Sequence, residues 1–500
     1  MYKTCITLMA AALLLVACGE PAPTPPPDSA TLLTAARTAM GGDGLNSIEF
    51  SGSGQDATVG QPWNIGEGWP MWSVSDYSRV IDYGAGSSIQ SAVREIADPA
   101  KLGGGGAQPG AAPQNQNTNV TADSGFNQKL QLWLTPHGFL GLAEDSNPTI
   151  TSEAMNGADY NVASFNVADG DISHEMRGYF NAETNVLEEV HTWADNPVFG
   201  DMLIEAEYGN YQDFGGAMFP TSYVQKQGGF DTLNLTIDNV VPNTTASAAP
   251  PEGGGRGGRG GRGGGRGGRG GGAAADAPPP FVEIGDGIFV LDGGYQSVAV
   301  EFNDFSVVID GLQSNDRAAS IIENTKIAIP DKPIRYVVTT HLHFDHIGGI
   351  RDLVAEGATI ITHEGNVAFL EDVLDNPRTM NPDRLAGAPV APVVMGAGDT
   401  FVLEDSTQLL ELYKLEGSLH ADDMMIAYIP SINTIVSADL AQPWMNPAFG
   451  GGFDGPHPFL VHLADELDRI GMAYDQFVPV HRPTPGPTVS RADFLAAAGR

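Results

Sequence analysis

Cysteine is nearly missing from this 500-residue chain: only Cys5 and Cys18 occur, both within the first eighteen positions. No disulfide framework can hold the folded part together, so stability has to come from ordinary apolar cores, which a chain of this length supplies in about two or three domains. Basic residues are scarce as well. Twenty-five Lys and Arg stand against 61 Asp and Glu, a formal charge of −36 in a chain only 17 % charged. Such a field repels nucleic acid and anionic lipid surfaces, and fits a solvated acidic exterior or a saline habitat. The apolar run near the start, Ile6 to Val16, is too short to span a bilayer comfortably, which leaves a transmembrane helix as the second reading of it. Histidine is limited to eleven residues, which makes its placement informative.

Three of those histidines fall in Thr339-Thr340-His341-Leu342-His343-Phe344-Asp345-His346-Ile347-Gly348-Gly349, directly after the apolar segment Ile334 to Val338. Four metal-binding side chains within six residues, His-x-His-x-Asp-His, would arise by chance on the order of once in a thousand such chains. Imidazole nitrogen and carboxylate oxygen are the donors that hold zinc, and a catalytic zinc keeps one position open. His341, His343 and Asp345 share parity, so an extended backbone would aim them to one side. Gly348-Gly349 then permits a sharp turn into a helix expected over Ile350 to Glu356.

This run resembles the signature of the metallo-β-lactamase fold superfamily, and the resemblance extends over roughly Phe281 to Arg500. His420, in Gly417-Ser418-Leu419-His420-Ala421-Asp422-Asp423, is similar to the third histidine of the family's first metal site. Asp439, in Ile435-Val436-Ser437-Ala438-Asp439-Leu440, resembles the bridging carboxylate, and His481, after Phe477-Val478-Pro479-Val480, the last histidine. The resemblance implies two zinc ions, one on His341, His343 and His420, the other on Asp345, His346 and His481, with Asp439 touching both. It also implies an αββα sandwich and a hydrolase whose nucleophile is a metal-borne hydroxide, with Asp345 orienting it and passing a proton to the leaving group. An ester, thioester, lactone or amide would be the substrate. Asp439 matches glyoxalase II-like hydrolases, whereas β-lactamases of this fold usually carry cysteine or serine there, which leaves antibiotic hydrolysis a minority reading. His343 stands where flavodiiron relatives carry a carboxylate, so a redox di-iron centre is not favoured. His363 and His457 read as structural, and the loop Gln442 to Phe453 either folds over the metals or merely connects.

The amino terminus resembles a bacterial lipoprotein leader: Lys3, the apolar stretch, then Leu15-Val16-Ala17-Cys18. That implies a signal peptide over 1–17, lipidation of Cys18 and a Pro-rich tether to residue 28; Gly19, in place of aspartate, points to the outer membrane, facing the periplasm. Several acyl chains would anchor the protein stably. Between tether and residue 245, Ser29 to Met40 reads as an amphipathic helix. Alternating segments follow at Gln131 to Leu134, Tyr160 to Val167, Gly178 to Trp193 with a hairpin turn around Asn181 to Asn185, Met202 to Tyr208 and Thr232 to Val240, which together predict an α+β domain with a curved antiparallel sheet. The phrase from Asp213 to Thr221 is similar to one in lipoprotein-localisation-type half-barrels. Lys101 to Asn119 is expected to be a disordered insertion, and this region an accessory without catalytic residues. Residues 246–280, with Arg256, Arg259, Arg262, Arg266 and Arg269 among glycines, form a linker; an RNA-binding role is set aside for an exported protein, while contact with the acidic domains stays open.

From 281 to 500 strands and helices alternate twice. Phe281 to Asp292, Ser297 to Phe302, Ser306 to Asp310 and Ala358 to Thr362 are expected strands around a helix from Ser314 to Ile327. Gln408 to Leu415, Met424 to Ile429, Thr434 to Ser437 and Gln476 to Val480 surround a helix from Pro458 to Ile470. Two other readings remain open: a metal-stabilised binding or scaffold lipoprotein, and a mononuclear iron oxygenase of the persulfide type.

Overall fold

The computed structural model describes residues 25–104, 110–249, 281–292, 295–442, 455–481 and 486–500. The leader with Cys18, the arginines of the Gly-rich segment and the loop from Pro443 lie outside the described residues. Helix α1 (Ser29–Ala39) starts where Asp28 accepts from the Thr31 amide, an N-cap that satisfies a terminal donor. Among the described residues eleven strands form one antiparallel sheet: β1 (Ser47–Ala57), β2 (Met71–Asp82), β3 (Ser87–Ile96), β4 (Gln114–Val120), β5 (Thr149–Met155), β6 (Ala158–Asp169), β7 (Ile172–Asn181), β8 (Leu187–Asn196), β9 (Gly200–Phe214), β10 (Ala217–Gln227) and β11 (Phe230–Pro242). Their order is β4-β3-β2-β1-β11-β10-β9-β8-β7-β6-β5. Along β9, Ile204, Ala206 and Tyr208 are buried while Glu205 and Glu207 are not, the period of two that a one-sided sheet requires. The buried face packs on α1, α2 (Phe126–Trp133) and α3 (Pro136–Ser146). Tyr208 and Tyr223 both donate their hydroxyls to the Leu134 carbonyl, which pins the α2–α3 corner to the sheet.

Two expectations need correction here. Gln131 to Leu134 is not a strand: Gln131 to Trp133 close α2, in which Phe126 and Leu130, four residues apart, share the buried face. A four-residue apolar run cannot separate the two periods. Residues 101–119 are not simply a disordered insertion either, because β4 pairs in register with β3 from Ser88↔Val120 to Arg94↔Gln114, and Leu102 is buried. Its Asn/Gln sequence hid it: an edge strand can be held by backbone pairing while its side chains stay in water.

The C-terminal region contains two sheets. One has the order of its strands in sequence: β12 (Phe281–Gly285), β13 (Ile288–Leu291), β14 (Ser297–Glu301), β15 (Ser306–Ile309), β16 (Ile334–Val338), β17 (Thr359–His363) and β18 (Val394–Ala397). The other runs β19 (Thr400–Glu404), β20 (Leu409–Lys414), β21 (Met425–Ile429), β22 (Thr434–Ser437), β23 (Gln476–Pro479) and β24 (Val489–Ser490). The segment expected as one strand from Phe281 is a hairpin, turning at Asp286-Gly287. In β15, Val307 and Ile309 enter the core shared by the two sheets, while Val308 enters the core beneath α4 (Asn315–Ala328), α6 (Ile350–Ala355) and α7 (Val367–Asp375). Strands buried on both faces read as continuous apolar runs for this reason. Helices α8 (Pro458–Ile470) and α9 (Arg491–Ala497) pack into the shared core from the second sheet's side, which completes an αββα arrangement. The parallel pairs β15–β16, β16–β17 and β22–β23 point their carboxyl ends toward one edge, the place where open α/β sheets carry their sites.

Candidate metal centre

His341 lies three residues beyond the end of β16, where the backbone bends, and His343, itself extended, caps the one-turn helix α5 (Phe344–Ile347). Asp345 and His346 therefore project from a helical turn, and the expected shared parity of His341, His343 and Asp345 does not hold. The two glycines that follow allow the tight packing: a Cβ on Gly348 would sit 2.7 Å from the Gln313 carbonyl, and one on Gly349 would overlap the Ser314 carbonyl. His420 comes from the β20–β21 connection, Asp439 from just past β22 in a left-handed conformation (φ 55°), and His481 from just past β23.

All seven side chains converge. His341, His343, His420 and Asp439 form one group of potential ligand atoms within 4.8 Å of one another, and Asp345, His346 and His481 form another. Asp439 sits between them: its Oδ2 is 3.4 Å from both His341 Nε2 and His420 Nε2 and 2.9 Å from His346 Nε2, and its Oδ1 is 2.9 Å from His481 Nε2. His346 Nε2 and His481 Nε2 face each other at 3.2 Å. His363 and His457 lie outside these groups; each caps a helical turn, accepting from the Gly365 and Phe459 amides.

Burial makes this arrangement costly without a cation. His341 and His346 are wholly buried, yet His341 Nε2 and both nitrogens of His420 have no hydrogen-bond partner among the described residues. Buried polar groups left unpaired cost about 1–3 kcal/mol each, so a set of inward-facing imidazole nitrogens around a carboxylate fits a cation as their common partner. Three of the outward nitrogens are occupied. His341 Nδ1 meets Thr340 Oγ1 at 3.0 Å, His343 Nε2 donates to the Pro62 carbonyl at 2.9 Å, and His346 Nδ1 donates to Asp310 Oδ1 at 2.8 Å. Such partners fix each ring's tautomer and aim its remaining nitrogen inward.

The electrostatics of the cluster follow the same geometry. Burial and the neighbouring imidazoles hold His341 and His343 well below the ordinary histidine range. Burial also pulls on His346, but Asp310, Asp439 and Asp345 outweigh it and hold its pKa well above that range. Burial pushes Asp345 and Asp439 upward, and the histidines around them win, keeping both carboxyls below their usual value.

Four contributors were not anticipated. Asp310, fully buried with φ 53°, ends β15 and accepts from His346, Thr340 Oγ1 and the Gly311 amide. Thr340 links it to His341. Tyr295 donates its hydroxyl to Asp345 Oδ2 at 2.8 Å, with its ring 4.3 Å from that of His481. Gln61, from the β1–β2 connection, donates Nε2 to Asp345 Oδ1 at 2.8 Å. The first had a readable signal, a carboxylate closing a strand that neighbours the motif strand; Tyr295 and Gln61 had none.

Residues 290–471 match the family described as the metallo-beta-lactamase superfamily. A curated relative is the linear primary-alkylsulfatase of Pseudomonas sp. (strain ATCC 19151), 24 % identical over 36 % of this chain and 40 % of that protein. The chain thus spans about two fifths of the length of that relative. Similar solved structures include a metallo-beta-lactamase from Pontibacter korlensis (18 % identity, 44 % of this chain, 96 % of that one, TM-score 0.33). Another is the mono-zinc form of the metallo-beta-lactamase FIM-1 from Pseudomonas aeruginosa (20 % identity, 45 % and 95 %, TM-score 0.33).

Proposed function

With residues 290–471 belonging to the metallo-β-lactamase superfamily, we propose that this protein is a metal-dependent hydrolase of a small-molecule ester, thioester, lactone, amide or sulfate ester. The last class enters through the alkylsulfatase relative. One observation carries the proposal: seven side chains from four separate segments bring their potential ligand atoms together around Asp439. His341 through Nε2, His343 through Nδ1 and His420 would hold one cation, and Asp345, His346 and His481 the other, with Asp439 shared. An imidazole-rich set with few oxygens suits zinc. When bound, such a pair supplies Lewis acidity and a water acidified to near neutrality.

The chain's own residues do the rest. Asp310, Thr340 and the Pro62 carbonyl hold the imidazoles in one tautomer. Asp345, kept ionised by the histidines around it, accepts a proton from the attacking water on its carboxylate and returns it to the leaving group. Tyr295 and Gln61 hold that carboxylate from both sides, which limits its rotation during the transfer.

Elemental analysis of the full chain should give about two zinc ions. A panel of esters, thioesters, lactones, β-lactams and alkyl sulfates, assayed with and without chelator, should reveal chelator-sensitive turnover. Asp345→Asn should reduce it by about 10²–10⁴-fold, and a fully active variant would remove the mechanism. The leader supports export and anchoring through Cys18, facing the periplasm from the outer membrane; Cys18→Ser should then abolish incorporation of labelled fatty acid, and labelling that persists would refute it.

A further inference from the structure

The connection between β1 and β2 belongs to the N-terminal sheet, yet it lies along the ligand-bearing segments of the C-terminal region. The Phe344 amide donates to the Gly60 carbonyl (2.9 Å), Gln61 Nε2 to Asp345 Oδ1 (2.8 Å), and His343 Nε2 to the Pro62 carbonyl (2.9 Å). Trp63 Nε1 donates to the Ser418 carbonyl (2.8 Å), and the Asp422 amide to the Trp63 carbonyl (2.7 Å), on either side of His420. A second N-terminal segment closes behind it: the Gly104 amide donates to the Gln61 carbonyl, and the Leu102 amide to that of Leu419. A Cβ on Gly104 would overlap Gln61 Oε1 and stand 2.9 Å from His343 Cε1, so any larger residue there has to displace those side chains.

We propose that the active site is composite: the β1–β2 connection is one of its walls, and Gln61 is a positioning residue that orients Asp345. The inference rests on the hydrolase reading above. An ordinary packing interface would need only the aromatic cluster nearby, where Trp69 sits edge-on to Phe199, Phe230 and Phe344. Here polar atoms address individual ligand atoms instead. The Pro62 carbonyl takes the outer nitrogen of His343 and leaves Nδ1 for the cation. Gln61 takes one oxygen of Asp345 and leaves Oδ2 with Tyr295, on the side of His346 and His481.

The test uses the full chain, with stepwise zinc affinities measured by chelator competition and His481→Ala identifying the step that belongs to the second cluster. Gln61→Met keeps the side chain's length and removes its donor. It should weaken the second zinc by about 10–100-fold, the usual cost of losing a partner of a ligand, and leave the first within about twofold. kcat should fall with KM little changed, and the thermal midpoint of the metal-free protein should not move. Equal weakening of both steps, or affinities matching wild type, would overturn the positioning role while leaving the hydrolase reading intact. A wild-type chain that takes up no zinc would overturn that reading, and the inference with it.

Discussion

Asp310 is the residue whose replacement tests the metal centre most sharply, because it reaches one imidazole in each half. Its Oδ1 accepts from His346 Nδ1, and its Oδ2 accepts from Thr340 Oγ1, which in turn accepts from His341 Nδ1. The Gly311 amide is a third donor. Asp310→Asn preserves shape but offers one carbonyl oxygen where two carboxylate oxygens served three donors, and it turns an amide N–H₂ toward a donor. At a fully buried position the displaced donor costs about 1–3 kcal/mol. Loss of the charge also makes His346 a weaker base. Partners of metal-bound histidines are worth about 10–100-fold in affinity, or about 1.4–2.7 kcal/mol. The second zinc should therefore weaken by that factor and the first by less, since His341 feels Asp310 only through a hydroxyl. Stepwise chelator competition on the full chain reads both numbers. Thr340→Val should reverse the pattern, touching the first step and sparing the second. Unchanged affinities in Asp310→Asn, or a Thr340→Val variant that weakens only the second step, would refute this assignment of the network.

Removing zinc with a chelator should lower the thermal midpoint and readdition should restore it: at about a thousand times Kd, bound cation contributes about 4 kcal/mol, and an unmoved midpoint would contradict a metal-bound native state. Trp69→Ala should cost about 3–5 kcal/mol by denaturant titration, as expected for a 4 % exposed tryptophan packed against three phenylalanines; a loss below about 1 kcal/mol would mean that the cavity collapses freely. Burial pushes His137 down to about 4, and its Nε2 donates to the Met40 carbonyl. The unfolded chain then binds a proton near pH 6.5 that the folded chain refuses, so this group's stabilisation is complete above pH 6.5 and is lost toward pH 4, about 3 kcal/mol in all. His137→Gln should flatten that segment of the stability profile; an unchanged slope would assign it elsewhere.

The C-terminal strands could be read closely because several are buried on both faces and carry apolar runs, as in Val307-Val308-Ile309 and Ile435-Val436. The helix expected from Ser314 begins one residue later, with Ser314 as its cap, accepting from the Arg317 amide. The N-terminal sheet was legible only where one face alternates, as in β6 and β9. β4 escaped because Gln114-Asn115-Gln116-Asn117 buries almost nothing and is ordered by pairing with β3. The end of α2 was misassigned because its apolar residues were read as a short run, detached from Phe126 one turn earlier.

The metal ligands were legible for a different reason: donors clustered at fixed spacing are rare, and strand ends fall where the topology gathers them. What orients those ligands leaves no such trace. Gln61 stands 284 residues before Asp345 in a polar loop, and nothing in its neighbours differs from an ordinary turn. Only a close contact between two regions gives it a role, and that contact depends on Gly103-Gly104, which sequence reasoning assigned to a disordered insertion. Gly103, with φ 63°, and Gly104, where any Cβ would collide with Gln61, are small because a backbone must pass within touching distance of a ligand's partner. A glycine run such as Gly103 to Gly106 is therefore better read as a question about close approach than as a sign of disorder.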